Sequence, residues 1–278
     1  MSVPEHASPP GTSPRPPARP RGPWSAALAE TALGPRGIAK MSHLWLPCAL
    51  MLSAAPPAPQ TTTGGLLLLV AAVFFKVQFS ILVNDLSDRE DDRLAGKSRW
   101  IGRLSRGRGA AVVAAVSAAG FAAVSLSGRP WAIVAYAATV LLASAYSLRP
   151  FRFKERGLAG PAIYALSAAV VYAVLPWAWL GARPEAAAIA LAAVLSDKWI
   201  QIHFHEVIDH GADAVRSTST YAVRVGLERS RATLRAAAAL AALVLAAVVG
   251  YVIFAAFPAK GRFLVLLIVS GAVIAGSG

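Results

Sequence analysis

The sequence predicts an all-α protein that folds as a polytopic transmembrane helix bundle of about eight helices. Of its 278 residues, 56% are apolar and only 15% are charged, whereas soluble domains carry about 25% charged residues. The apolar residues form blocks close to the length of about 20 residues that a helix needs to cross a bilayer. Many blocks are rich in alanine, which allows helices to approach each other closely in lipid.

The apolar blocks define eight predicted spans. They cover residues 41–59, 64–83, 109–128, 130–148, 158–181, 185–204, 231–257 and 262–276. Residues 1–38 are rich in Pro, Ser and Arg and lack an apolar stretch, which predicts a disordered basic tail rather than a cleaved secretory signal. The predicted division is therefore a tail at 1–38 and a transmembrane domain at 39–278.

The basic charge of the chain is distributed as in a membrane protein. A formal net charge of +13 is often a sign of nucleic-acid binding. If the N-terminus is cytoplasmic, however, 21 of the 27 Lys and Arg residues fall on the cytoplasmic side of the predicted spans and four on the opposite side. This is the positive-inside pattern. We therefore expect an integral, multi-pass protein of a bacterial plasma membrane, in contact with the lipid bilayer and not with nucleic acid.

An acidic segment at residues 84–92, here called the first acidic motif, directly follows the second apolar block. On a helix, Asp85, Asp88 and Asp92 lie at i, i+3 and i+7 and share one face. Carboxylates at a membrane helix end are costly unless a cation accompanies them, and three convergent ones suit Mg²⁺, which recruits phosphate oxygens. The alternative is a charged loop that is simply solvated at the interface.

A second acidic motif, residues 205–213, follows the sixth predicted span. Glu206, Asp209 and Asp213 repeat the spacing of the first motif, and both motifs fall on the side assigned as cytoplasmic. Up to six carboxylates around one cavity would repel each other strongly without cations. Two Mg²⁺ ions and a diphosphate would relieve this repulsion, because the metals bridge carboxylates to phosphate oxygens. The single cysteine, Cys48, excludes a cysteine-based metal site.

Two lysines, Lys76 and Lys198, lie inside apolar spans ahead of the two acidic motifs. An ionisable residue within a span is expensive and usually functional, which favours contact with a diphosphate or with the motif carboxylates. The alternative is that each long side chain reaches toward the nearby interface. Asp197 offers Lys198 a local partner.

Four segments, in order along the chain, resemble the motifs of the UbiA superfamily of intramembrane prenyltransferases. They are N-D-x-x-D-x-x-x-D at 84–92, Y-S-x-x-P-x-R-x-K at 146–154, D-x-x-x-D at 209–213 and T-x-A-x-x-x-G at 220–226. The resemblance covers roughly residues 40–276. It implies eight to nine helices around a central cavity, and Mg²⁺-dependent transfer of a prenyl group from a prenyl diphosphate to an acceptor.

The resemblance, together with the spacing of the carboxylates, assigns the candidate site residues. The metal ligands are expected to be Asp85, Asp88, Asp92, Glu206, Asp209 and Asp213, of which Asp85, Asp88, Asp209 and Asp213 are expected to be catalytic. The diphosphate contacts are expected to be Asn84 and Lys154, joined by Arg149 or Arg152, Lys198 and Arg216. Tyr146 and Tyr164 are candidates to face an allylic cation.

Two positions depart from the family pattern. Residues 103–107 lack a Pro that the family often has before the Gly, and Ser219 stands where Lys or Arg usually precedes the motif Thr. Arg216 is the nearby candidate for the missing positive charge.

Three other functions remain open at this point. A terpene cyclase on the same scaffold would use prenyl diphosphate without an acceptor, and a catalytically inactive relative would keep only the fold. A cation-coupled transporter would use the intramembrane Asp and Lys residues, although transporter sites usually lie near the bilayer midplane. The sequence identifies neither the acceptor nor the length of the prenyl chain.

Overall fold

The computed structural model describes residues 40–94, 96, 99–215 and 219–256. The predicted tail at 1–38 and the predicted last span at 262–276 lie outside these residues. Within them the regular secondary structure is helical, apart from one isolated β-bridge between Gly157 and Thr220.

The described helices are numbered here in chain order. They are α1 (Trp45–Ser53), α2 (Thr63–Ser87), α3 (Arg89–Leu94), α4 (Arg106–Ser125), α5 (Pro130–Ser147), α6 (Ala159–Leu180), α7 (Pro184–Val215), α8 (Tyr221–Val225) and α9 (Leu227–Ala256). Single 3₁₀ turns occupy Pro59–Thr61, Ile101–Arg103 and Phe153–Glu155. Helix α6 contains a π-helical segment at Val170–Val174.

Five of the described helices are long and apolar enough to cross a membrane. They are α2, α4, α5, α6 and the Leu227–Val248 part of α9. Together with the family described below, they make this an integral membrane protein. Helix α7 spans 32 residues, or about 48 Å at 1.5 Å per residue, which exceeds the hydrocarbon thickness of about 30 Å.

The ends of the helices follow from local sequence. Thr62 caps α2 by accepting a hydrogen bond from Gly65 N at 3.3 Å, and Ser105 caps α4 by accepting one from Arg108 N at 3.4 Å. Pro130 occupies the first turn of α5, where its missing N–H costs nothing. Gly181 ends α6 with φ of +64°, a conformation that glycine adopts without steric cost.

The region of the first predicted span differs from the expectation. Helix α1 covers nine residues of the predicted 41–59 and ends at Ser53. The chain then contains Pro56, Pro57 and Pro59, which cannot donate the backbone hydrogen bonds of a continuing helix. The other predicted spans within the described residues match helices, with α2 and α7 extended at their C-terminal ends into the acidic motifs.

Most helices pack against one or two others that lie close to them in the chain. Helix α2 lies against α4 and α5, α5 lies against α6, and α7 lies against α6 and α9. The main core between them is formed by small and branched apolar residues with a few large rings, such as Tyr136, Tyr172 and Trp179. On the outside, large apolar side chains such as Leu126, Trp131 and Leu243 are exposed, as expected for a surface that faces lipid.

A close helix approach in this core depends on Gly120 of α4. A Cβ atom at this position would overlap the hydroxyl of Tyr136 and lie 3.1 Å from Phe75 Cβ. Tyr136 is completely buried, so its ring has little room to move away. The glycine therefore allows α4 to pack closely against α2 and α5.

We expect Gly120→Ala to destabilise the bundle by about 1–3 kcal/mol, the usual cost of overpacking a core. Gly107→Ala in the same helix is the matched control, because a Cβ there meets nothing within 4 Å and alanine favours a helix. Thermal unfolding in detergent should show a lower melting temperature for Gly120→Ala only. Equal melting temperatures for the two variants would contradict the packing argument.

Candidate functional site

The first acidic motif lies at the C-terminal end of α2, and the helix breaks within it. Asn84 and Asp85 are in the last turn, Asp85 is only 5% exposed, and α2 ends at Ser87. Asp88 is the C-cap, with φ of −94° and ψ of 8°, and α3 then starts at Arg89. Helical hydrogen bonds still run through this point, since Asp88 N donates to Asn84 O at 2.9 Å and Asp92 N donates to Asp88 O at 2.7 Å. A shared face for Asp85, Asp88 and Asp92 stays a prediction.

A basic loop, residues 149–157 between α5 and α6, folds over this motif. Lys154 Nζ donates hydrogen bonds to Asn84 Oδ1 at 3.1 Å and to Asp88 Oδ1. Arg152 contacts Asp88 Oδ1 at 3.3 Å and Asp91 Oδ2 at 2.9 Å. Two cations thus converge on the single carboxylate of Asp88, which holds the basic loop against the end of α2.

The ammonium group of Lys154 is partly withdrawn from water. Burial lowers its pKa below the usual value for lysine, and the neighbouring Asp88 carboxylate opposes this shift. A charge that is costly to bury is thus retained by its contact with the acidic motif.

Asp92 pairs with an arginine that lies outside the first motif. Its Oδ2 lies 3.6 Å from Arg99 Nε, and both residues line a separate surface pocket with Arg89, Arg93 and Arg103. The sequence does not predict this pairing, because Arg99 is one of seven Lys and Arg residues in the loop after the second predicted span.

The second acidic motif lies on the continuous helix α7, but its members have different surroundings. Glu206 is only 7% exposed, and its carboxylate accepts the backbone N–H groups of Tyr221 and Ala222 at the start of α8. Its Oε2 lies 3.7 Å from Nδ1 of the buried His203. Asp209 is exposed and Asp213 is partly exposed. Glu206 therefore holds the following segment in place, while the two aspartates remain accessible to a ligand.

The basic loop also contacts the segment after the second motif. Gly157 N donates a hydrogen bond to Ser219 O at 3.1 Å, within the β-bridge to Thr220. Arg224 Nε donates to Ser219 Oγ at 2.7 Å. The basic loop thus contacts both the first acidic motif and the connection that follows the second one.

A cavity of about 110 Å³ opens beside the first motif. One end is lined by Asn84, Tyr146 and Ser147, and Ser147 Oγ donates to Asn84 Oδ1 at 3.3 Å. Tyr146 interacts electrostatically with Asp88 of the first motif and with Glu206 and Asp213 of the second. Tyr146 is therefore within electrostatic range of both acidic motifs. That the two motifs surround one cavity stays a prediction.

The two buried lysines line the same cavity farther from the acidic motifs. Lys76 is 5% exposed, and its Nζ donates to Ser167 Oγ at 3.3 Å. Lys198 is 2% exposed and its Nζ lies 2.9 Å from Asp197 Oδ2 and 3.2 Å from Gln201 Oε1. Both ammonium groups are buried against protein partners.

The donor set at the first motif consists of hard oxygen ligands, the kind that Mg²⁺ prefers. In the described part of the chain, no three Asp, Glu, His or Cys side chains converge closely enough to form a metal site by themselves. Mg²⁺ usually binds through one or two carboxylates together with water and substrate phosphates. The residues present fit a metal that arrives together with a phosphorylated ligand.

Two further residues, Arg149 and Arg216, were predicted as diphosphate contacts. Arg149 is exposed, and its neighbour Arg152 makes the contacts with the first motif. Arg216 lies outside the described residues. Sequence reasoning gave Arg152 little weight, although its place in the Y-S-x-x-P-x-R-x-K segment carried the signal.

A family model described as the UbiA prenyltransferase family matches residues 44–277. The chain belongs to this family. No curated protein matches it in sequence.

Solved UbiA structures share the fold. A UbiA homolog from Archaeoglobus fulgidus bound to DMAPP and Mg²⁺ is 20% identical, with a TM-score of 0.64, covering 86% of this chain and 83% of that one. The same homolog bound to GPP and Mg²⁺ gives a TM-score of 0.65 at 20% identity and the same coverage. A digeranylgeranylglyceryl phosphate synthase is 14% identical, with a TM-score of 0.62, covering 89% of this chain and 88% of that one. At these identities the likeness establishes the UbiA fold.

We expect Asp88→Asn to release the basic loop, because it removes the carboxylate that Arg152 and Lys154 share. Trypsin cleavage after these two residues should accelerate about tenfold, since hydrogen bonds to charged groups contribute about 1.5–3 kcal/mol and 1.4 kcal/mol corresponds to a factor of ten. Digestion of the purified protein in detergent, followed by mass spectrometry, measures the rates.

The control for this experiment is Glu90→Gln. Glu90 lies on α3, two residues after Asp88, but pairs with Arg93, so loss of its charge should leave cleavage in the loop unchanged. Equal cleavage rates in wild type and Asp88→Asn would show that the loop is held by other contacts.

Proposed function

We propose that this protein is a Mg²⁺-dependent membrane prenyltransferase, which transfers an isoprenyl group from a prenyl diphosphate to an acceptor. The main support is the geometry around Asp88, where Arg152 and Lys154 of the basic loop meet the first acidic motif beside a cavity lined by Asn84 and Tyr146. The family and the relatives bound to prenyl diphosphates and Mg²⁺ agree with this proposal.

The acidic residues have separate roles in the proposal. Asp85 and Asp88 from the first motif and Asp209 and Asp213 from the second are the metal ligands. When bound, Mg²⁺ neutralises the charge that develops on the leaving diphosphate. Asp92 and Glu206, also expected as ligands from the sequence, are better suited to positioning, because Arg99 and the α8 backbone already engage their carboxylates.

The basic loop supplies the contacts to the diphosphate. Lys154 and Arg152 exchange part of their contact with Asp88 for phosphate oxygens, so that positive charge faces the leaving group in a partly buried site. Asn84, held by Ser147 and Lys154, orients the same end of the substrate. Arg216 is kept as a candidate contact on sequence grounds alone.

The apolar part of the cavity holds the prenyl chain near its reactive carbon. Tyr146 and Tyr164 lie with ring centroids 6.0 Å apart, and both line the cavity. Their rings offer negative faces to the allylic cation that forms as the C–O bond breaks. Closing these rings around the cation also excludes water, which would otherwise capture it.

The test uses Asp85→Asn, Asp88→Asn, Asp209→Asn and Asp213→Asn. Each should lower Mg²⁺-dependent release of diphosphate from a prenyl diphosphate by about a hundredfold or more, the usual cost of removing one group that stabilises developing charge. Diphosphate is measured by a coupled phosphate assay in detergent or nanodiscs. The matched control is Glu90→Gln, which removes an exposed carboxylate that pairs with Arg93 and should keep full activity.

Labelled prenyl diphosphate with and without candidate acceptors decides between related functions. A prenylated acceptor supports the transferase, whereas a cyclic hydrocarbon or terpene alcohol formed without acceptor identifies a cyclase. Full activity of any of the four Asp variants would overturn the metal assignment. Ion flux in liposomes without diphosphate release would replace the enzyme by a transporter, and no reaction with any substrate would favour an inactive relative.

We also propose that the N-terminus and both acidic motifs are cytoplasmic, because the basic connections cluster on that side. In a Cys48→Ser background, Arg183→Cys should react with a membrane-impermeant maleimide added outside intact cells. Arg156→Cys in the basic loop should react only after the membrane is opened; both positions are exposed. Labelling of Arg156→Cys in intact cells would reverse the orientation.

A further inference from the structure

A histidine and a carboxylate form a pair at the cavity, and the proposed function gives neither of them a role. Nδ1 of His43 lies 3.4 Å from Oδ2 of Asp197. His43 lines the cavity of about 110 Å³ together with Tyr146 and Tyr164, and the first acidic motif reaches the same cavity through Asn84. The imidazole therefore shares one cavity with the rings that are proposed to surround the allylic cation.

The segment that carries His43, just before α1, is held against two helices. Tyr172 of α6 donates a hydrogen bond from its hydroxyl to Lys40 O at 2.8 Å, and its ring centroid lies 6.0 Å from that of His43. The carboxylate of Asp197 comes from α7. Because Nδ1 is directed at this carboxylate, Nε2 is the ring nitrogen that remains for a ligand in the cavity.

The charges around this pair suit an imidazole that starts neutral and then takes up a proton. Lys198 Nζ lies 2.9 Å from Asp197 Oδ2, so the carboxylate already has a counter-charge while the imidazole is neutral. The charged groups that act on His43 are Lys198, Asp197 and Lys40. A proton taken up on Nε2 places positive charge beside the carboxylate, which stabilises it, as the aspartate of a catalytic triad does for its histidine.

The proposed reaction needs a group that accepts a proton. When the C–O bond of the prenyl diphosphate breaks, its electron pair leaves with the diphosphate, and the nucleophilic atom of the acceptor forms a bond to the prenyl carbon. That atom then loses its hydrogen as a proton. The motif aspartates and the basic loop are assigned to the metal and the diphosphate, so the proton requires another base.

We propose that His43 is the general base that takes this proton on Nε2, and that Asp197 positions the imidazole and stabilises the imidazolium that forms. This inference rests on the proposed function. A positioned general base contributes about 10²–10⁴-fold to the rate of a proton transfer. The same base removes a methyl proton from an allylic cation that meets no acceptor, which makes its action measurable without knowledge of the acceptor.

The test uses dimethylallyl diphosphate with Mg²⁺ and no acceptor. The short dimethylallyl cation cannot close a ring, so it either loses a methyl proton to a base and becomes isoprene, or captures water and becomes an alcohol. Gas chromatography measures both products, and a coupled phosphate assay measures diphosphate. His43→Gln should lower the ratio of isoprene to alcohol by about a hundredfold, while diphosphate release stays close to that of wild type.

The positioning role of Asp197 is tested by Asp197→Asn. In wild type the ratio of isoprene to alcohol should rise with pH as the imidazole loses its proton. In Asp197→Asn this ratio should be lower, and its rise should move to lower pH by about one unit or more, because the imidazolium loses a neighbouring opposite charge. A purely structural role for Asp197 would leave the pH profile in place.

Trp45→Phe is the matched control, since it changes a 68% exposed ring two residues farther along the same segment and should alter neither the ratio nor diphosphate release. Melting temperatures check the fold, and His43→Asn replaces His43→Gln if that variant is unstable.

Two results would overturn the assignment of the base. An equal ratio of isoprene to alcohol in wild type and His43→Gln would leave the departing diphosphate as the base. Loss of diphosphate release in His43→Gln, with an unchanged ratio in the residual product, would place His43 with the leaving group. Absence of diphosphate release from wild type is a different result, because it would overturn the proposed function and this inference with it.

Discussion

The ion pair between Lys154 and Asp88 is the interaction on which the arrangement of the site depends. A carboxylate at the end of a membrane helix and an ammonium group in a partly buried loop are each unfavourable alone. Together they fix the basic loop against α2, and Arg152 adds a second link through Asp88 and Asp91. Leaving Lys154 or Asp88 unpaired in this partly buried place would be costly. These ion pairs therefore favour the observed position of the basic loop.

Buried charges elsewhere in the bundle are also held by polar partners. In the cavity, Lys76 contacts the hydroxyl of Ser167 and Lys198 contacts the carboxylate of Asp197. Tyr146 and Tyr164 line the same cavity. At the end of α2, Asp88 and Asp91 pair with Arg152 and Lys154.

The sequence predicted the helices well where long apolar runs determine them. The spans at 64–83 and 109–128 were close to α2 and α4, because their composition permits nothing but a membrane helix. The first predicted span failed because three prolines stop α1, a local effect that average hydropathy does not register. The roles of individual carboxylates were also beyond the sequence. Equal spacing suggested that Asp92 and Glu206 bind metal like the other four carboxylates. Instead, Asp92 pairs with Arg99 and Glu206 with backbone N–H groups, and both partners are set by how the following segments fold.

The basic loop touches the first motif through Lys154 and the segment after the second motif through Gly157, only three residues later. Because only two residues separate Lys154 from Gly157, neither contact can move far without moving the other. The first acidic motif and the segment that follows the second one are therefore held by a single stretch of four residues, 154–157. Two motifs that lie more than a hundred residues apart along the chain share one support in the fold.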